Sequence, residues 1–211
     1  MASLAEALGT RANRTSTAIW NAVSVVVGTG FIYLMTQVKV SLLPFSPVPI
    51  TGQTLAILLV GGALGFMRGG TSVLLYLALA ALGLPRVSAT GETGIDLFYS
   101  SSPTGGYLIG FLFAAVVVGY LSKRGWDRSI RSSIGAMLLG SVVIYLFGVP
   151  WLANALDVPA AKALELGLYP FVVGDLLKLF IAAGLLPSVW AFVGPPKAPH
   201  PRPGSERQRQ S

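Results

Sequence analysis

From Tyr169 to Val193 the chain reads YPFVVGDLLKLFIAAGLLPSVWAFV. The run is long and apolar enough to cross a hydrocarbon layer, since about 20 helical residues span roughly 30 Å. Its only charges are one acid and one base, Asp175 and Lys178. A charge at bilayer depth costs about 2.5–3.5 kcal/mol on insertion scales and is by default a functional-site candidate. Positions three apart share a helix face. Tyr169-Pro170 opens the helix, proline being acceptable in its first turn. At the rise of 1.5 Å per residue the pair then lies roughly 8–12 Å below the outer end of the span. Two readings fit: a couple that grips a ligand in a pocket open to the outside, or an ion pair that locks the bundle. A carboxylate beside an ammonium offers an acceptor and donors side by side in dry surroundings. That suits a small group with adjacent N–H and C=O, such as a ureido ring, without naming a substrate.

The rest of the chain has the same character. Of its 211 residues 53% are hydrophobic and only 11% charged, with a mean hydropathy of +0.69. Soluble domains carry about a quarter charged residues, so most of this surface must face lipid. The formal charge of +7 does not point to nucleic acid. The basic residues sit between apolar runs or in the tail, as topology signals and anionic-lipid contacts do. There is no cysteine, and the one histidine, His200, lies in a proline-rich tail. Disulfides, thiol catalysis, a metal cage and a histidine relay within the membrane are therefore excluded.

Working back from the last helix, six spans are expected in an all-α membrane bundle. The first runs from about Ala18 to Val38 and is too long for a signal-peptide core. Pro44, Pro47 and Pro49 interrupt the chain, and Thr51 is a plausible N-cap for a helix over Gly52–Phe66. Met67 to Gly70 forms a turn, and a third helix covers Thr71–Leu84. These two runs are short, so they form either a hairpin of short spans or a re-entrant pair. A polar loop, Pro85–Ser102, precedes a fourth helix from Pro103-Thr104-Gly105-Gly106-Tyr107 to Leu121. A basic loop follows, Lys123–Arg131. The fifth helix covers Ser132–Leu152, with Pro150 distorting its end, and Asp157–Leu168 is a loop. Residues 1–17 form an N-terminal segment, 18–193 the membrane domain, and 194–211 a basic tail with the composition of a disordered one.

Eleven basic residues fall on one side of these spans: Arg11, Arg14, Arg68, Lys123, Arg124, Arg128, Arg131 and four in the tail. Three fall on the other: Lys39, Arg86 and Lys162. The positive-inside bias makes both termini cytoplasmic. Trp20, Trp126, Trp151 and Trp190 all fall near helix ends, where interfacial anchors belong. Gly61 with Gly65, and Gly106 with Gly110, have the four-residue spacing of close helix packing. On the outer side, near the Asp175–Lys178 pair, further polar groups collect. Gln53 and Arg86 either touch a ligand or brace loops; Thr104 begins the fourth helix. Tyr107 and Tyr169 are ligand contacts or interfacial aromatics.

Several ordered motifs resemble the biotin-specific BioY family. They are Val48-Pro49-Ile50-Thr51-Gly52-Gln53-Thr54-Leu55, the Arg68-Gly69 turn, Leu74-Leu75-Tyr76, Gly83-Leu84-Pro85, Pro103-Thr104-Gly105-Gly106-Tyr107 and Gly174-Asp175-Leu176-Leu177-Lys178. The likeness covers about Ala18 to Phe192. It implies the substrate-capturing S-component of an energy-coupling factor (ECF) transporter, a six-helix plasma-membrane protein that binds biotin from outside. A membrane coupling protein and two cytoplasmic ATPases then drive release, so ATP serves the partners and this chain needs no cofactor. The likeness also implies that Asp175 and Lys178 contact the ureido ring and that Gln53 matches a family position. Ala18 and Ala22 fit the Ala-x-x-x-Ala patch that docks on the coupling protein.

This sequence departs from the family pattern after Gly83-Leu84-Pro85. Arg86 follows, and Glu92 and Asp96 occupy a loop that is more often glycine-rich. Arg86 thus becomes a candidate for the biotin carboxylate, a charge-assisted contact suited to guanidinium. The chain has no Gly-x-x-x-x-Gly-Lys-[Ser/Thr] loop, so ATP coupling must come from partners. An intramembrane enzyme would need a nucleophile with a base, a metal or paired carboxylates, and none is present within the spans. The remaining alternatives are an S-component for another vitamin and a solitary biotin facilitator. If Arg86 holds the carboxylate, Arg86→Ala should erase the preference for biotin over biotin amide in competitive titration. An unchanged preference places that carboxylate elsewhere.

Overall fold

The computed structural model of the protein describes residues 3–9, 14–41, 43–83, 94–99 and 101–193. Arg11, Arg86, Glu92 and the tail from Gly194 lie outside these residues. The helices are α1 (Leu4–Gly9), α2 (Arg14–Thr36), α3 (Gln53–Ala81), α4 (Gly105–Lys123), α5 (Ile130–Leu156), α6 (Ala160–Gly167) and α7 (Val172–Val193). Two short strands, β1 (Lys39–Val40) and β2 (Ile50–Thr51), pair antiparallel between α2 and α3. Five helical stretches are long and apolar enough to cross a membrane. One of them, α3, folds back on itself, so six segments form the bundle.

Lipid solvation inverts the usual polarity of a helix. On α2 the exposed side chains are Ile19, Val26, Val27 and Leu34, while Ser24, Thr29, Ile32 and Thr36 are buried. Small and hydroxylated residues let backbones approach and supply hydrogen bonds where hydrophobic attraction between helices is weak. Thr29 Oγ1 donates to the Ser72 carbonyl at 2.9 Å, and Thr36 Oγ1 lies 3.0 Å from the Tyr76 hydroxyl.

The reversal within α3 is at Gly65, with φ +77° and ψ 173°, and not at Met67–Gly70 as the sequence suggested. A side chain at that positive φ would clash with its own backbone, so glycine sets the position of the turn. Met67 and Arg68 are already helical. Gly69 serves packing instead: a Cβ there would lie 2.9 Å from the Gly61 Cα of the opposite arm. The two arms are antiparallel, because the Gln53 amide reaches the Tyr76 hydroxyl. The expected glycine spacings otherwise serve packing. A Cβ on Gly61 would meet the Ala115 carbonyl, one on Gly106 would strike Trp151, and one on Gly110 would strike Ile144.

Several other boundaries differ from the sequence reading. Gly52, and not Thr51, is the N-cap of α3. Thr51 pairs in β2 and still accepts the Gln53 N–H through Oγ1 at 3.3 Å. α5 continues through Pro150 to Leu156 and closes on Asp157 in the left-handed region. The expected Asp157–Leu168 loop contains α6, which buries Ala163 and Gly167. Tyr169 to Phe171 form a 3-10 turn before α7, because the proline fits an N-terminal turn that still lacks internal bonds.

α1 packs beneath the bundle, with Leu4 in one apolar cluster with Leu179, Leu186 and Trp190 of α7. Glu6 pairs with Lys123 at the end of α4 at 3.1 Å, and Trp190 Nε1 donates to Asp127 in the α4–α5 loop at 2.5 Å. α1, the Gly65 turn, that loop and the far end of α7 therefore share one face. The β1–β2 pair, α6 and the start of α7 lie at the other end of the bundle.

A Cβ on Gly119 would lie 2.4 Å from the Phe66 nitrogen and 2.6 Å from the Gly65 carbonyl carbon, both backbone atoms. Gly119→Ala should lower stability by about 1–3 kcal/mol through overpacking, read as a lower melting temperature in detergent. Burial raises the Glu6 pKa, but the Ser3 N–H, Lys123 and Arg68 outweigh it and hold the carboxyl below 4.5. A depressed folded pKa contributes stability above the unfolded value, and this is lost as pH falls through the folded one. A spin label at Ala7→Cys, in a chain without cysteine, should gain mobility as pH drops below 4.5. Adding Glu6→Gln should remove that dependence.

Candidate functional site

The inward stripe of α7 is Asp175, Lys178, Leu179, Ala182 and Leu186, continued by Phe171 of the preceding 3-10 turn, whereas Val173, Leu177 and Phe180 are exposed. The charged pair therefore lies on the protein-facing side of the helix. Its side chains are only 13% (Asp175) and 15% (Lys178) exposed, which demands partners, because an unmatched buried charge is strongly destabilising.

The partners, apart from the pair itself, come from α3 and α5. Lys178 Nζ donates to Asp175 Oδ1 at 3.0 Å and to Thr54 Oγ1, on the first arm of α3, at 3.0 Å. Asp175 Oδ2 accepts a hydrogen bond from the hydroxyl of Tyr145 on α5. The Tyr145 ring meets Tyr107 of α4 edge-on, with centroids 6.2 Å apart. The Tyr107 hydroxyl donates to the Gly167 carbonyl at 2.8 Å, so Tyr107 presents its ring, and not its oxygen, to the site.

These groups line one cavity, which narrows between α3, α4, α5 and the start of α7. Val48, Leu108, Phe111, Ile144 and Phe171 form its apolar walls; Gln53, Thr54, Thr104, Asp175 and Lys178 supply polar groups. The arrangement can take a ligand with an apolar body and one compact polar head. Lys178 has three donors, of which two are engaged within the protein.

The structure brings together Asp175, Lys178, Gln53, Thr104 and Tyr107 from the sequence-derived set. Gln53 is largely braced: its Nε2 donates to Tyr76 and its Oε1 accepts from Thr51 at 3.3 Å. Thr104 pairs with Ser102 at 3.3 Å. Tyr169 is not a wall of the cavity but 62% exposed, because the 3-10 turn aims Phe171 inward in its place. Arg86 lies outside the described residues. Ala18 and Ala22 are exposed on α2. Sequence reasoning missed Thr54 and Tyr145. A hydroxyl in mid-span, as at Tyr145, is the signal that would have found one of them.

The family model described as the BioY family matches residues 10–195. A biotin transporter BioY of Rhizobium etli is 40% identical over 164 residues, covering 74% of this chain and 84% of that protein. One from Thermotoga maritima is 36% identical over 141 residues, covering 67% and 80%. Among solved structures, the S-component for biotin from an ECF-type ABC transporter superposes with a TM-score of 0.75 at 27% identity. It covers 85% of this chain and 95% of that one.

Proposed function

The chain belongs to the BioY family, and from that premise we propose that it is the biotin-capturing membrane subunit of an ECF transporter. The observation that carries this reading is the Asp175–Lys178 pair, held by Tyr145 and Thr54 in a cavity whose remaining walls are mainly apolar. Biotin matches that polarity. Its ureido N–H groups can donate to the Asp175 carboxylate while the ureido carbonyl accepts from Lys178. Its ring carbons and aliphatic chain lie against walls such as Phe111, Ile144 and Phe171. Gln53 can offer its second amide hydrogen, Thr104 a hydroxyl, and Tyr107 the face of its ring. Arg86 is the candidate for the distal carboxylate.

The protein is membrane-embedded, and we place it in the plasma membrane. The face that carries α1, Lys123, Arg124, Arg128 and Arg131 is cytoplasmic by the excess of basic residues there, so the cavity opens outward. The energy-coupling partners are a membrane coupling protein and two ATPases. Ala18 and Ala22, exposed one helical turn apart on α2, are the proposed docking patch. ATP is hydrolysed by the partners.

Asp175→Asn and Lys178→Ala should each weaken biotin binding at least tenfold, about 1.4 kcal/mol, while leaving the protein folded. Isothermal titration of detergent-purified protein measures the first and thermal melting the second. Wild-type affinity in both variants would remove the pair from the site.

A further inference from the structure

We propose that Thr54 and Tyr145 are positioning residues that keep Asp175 and Lys178 from neutralising each other, and so make the pair able to read a ureido ring. The inference rests on the reading of this cavity as the biotin site. An acid and a lysine three residues apart on one helix, in surroundings of low dielectric, attract strongly. The flexible four-carbon stem of lysine lets the ammonium settle wholly onto the carboxylate. A fully closed pair would present little to a ligand.

The structure divides the two groups instead. Only Asp175 Oδ1 faces Lys178, at 3.0 Å; Oδ2 is held by the Tyr145 hydroxyl on α5. The ammonium is drawn the other way by Thr54 Oγ1, at 3.0 Å, on the first arm of α3. Without Thr54 the ammonium has only Asp175 to turn to. Without the Tyr145 hydroxyl the carboxylate can rotate both oxygens toward Lys178. In either case the donor and acceptor edges turned to the cavity are lost. Tyr145 is itself oriented from behind: Tyr107 packs edge-on against its ring and is anchored on the Gly167 carbonyl.

The experiment compares wild type, Tyr145→Phe, Thr54→Val and Thr54→Ser in titrations with biotin and with 2-thiobiotin. In 2-thiobiotin sulfur replaces the ureido oxygen and accepts hydrogen bonds poorly. Tyr145→Phe and Thr54→Val should each weaken biotin binding about ten- to 150-fold, the loss of one hydrogen bond to a charged group. Thr54→Val should also narrow the preference for biotin over 2-thiobiotin, because the displaced group is the donor to that atom. Thr54→Ser should restore both affinity and preference. A packing role alone would lower affinity for the two ligands equally. Unchanged affinity and preference in both variants, equal losses for the two ligands in Thr54→Val, or failure of Thr54→Ser to restore them overturns the positioning role. A wild type that binds no biotin overturns instead the reading on which the proposal rests.

Discussion

Two opposite charges on the inward face of α7 can remain in an apolar interior only if they are paired and further hydrogen-bonded. Lys178 meets Asp175 and Thr54; Asp175 meets Lys178 and Tyr145. The answers come from α3 and α5, so the electrostatic requirement of two residues fixes how three helices approach one another at the cavity. A displaced helix would leave a buried charge unmatched, a larger penalty than the loss of any one apolar contact. The geometry of the site and the integrity of this end of the bundle are therefore one problem.

The α3 hairpin delivers its part of that solution. Gly65 turns the chain, and the close approach of Gly61 to Gly69 holds the arms together. The first arm then presents Gln53 and Thr54 to the cavity, and the second returns Tyr76 to brace Gln53. Tyr76 in turn meets Thr36 at the end of α2. A polar chain thus runs from α2 through both arms of α3 to the cavity wall. Every member is a hydroxyl or amide with a partner, as a low-dielectric setting requires.

The sequence revealed the parts of the fold that depend on composition and on rare residues. Long apolar runs announced the spans, and the isolation of Asp175 and Lys178 among apolar neighbours pointed to the candidate site. The parts set by local geometry were harder to read. Arg68-Gly69-Gly70 looked like the turn because charge and paired glycines suggest one, yet the positive φ fell on the single Gly65. α6 was hidden because its eight residues are too few to register as a span, and it buries only Ala163 and Gly167. Thr54 and Tyr145 escaped notice for another reason. Neither is charged, and their importance lies in where α3 and α5 place them relative to α7. The polar tip of Tyr169 suggests a ligand contact, but a two-residue offset in the 3-10 turn gives the inward position to Phe171.

The manner in which α7 is held bears on what a ligand can do. α4 is the most buried of the membrane-crossing helices, whereas the segment containing α7 is among the least buried. Between α7 and α2 lies a largely apolar groove, lined by residues such as Val27, Phe31, Leu185 and Val189. That groove gives α7 no directional contact. Its directional contacts are at its ends: Asp175 and Lys178 at one, and Trp190 with Asp127 at the other, where Arg128 stacks over the Trp190 ring. A ligand that bridges Asp175 and Lys178 to the walls contributed by α3, α4 and α5 adds contacts where α7 has few. The helix that carries the charges is also in one of the two least buried segments, so its docking at this end of the bundle depends on the same few hydrogen bonds.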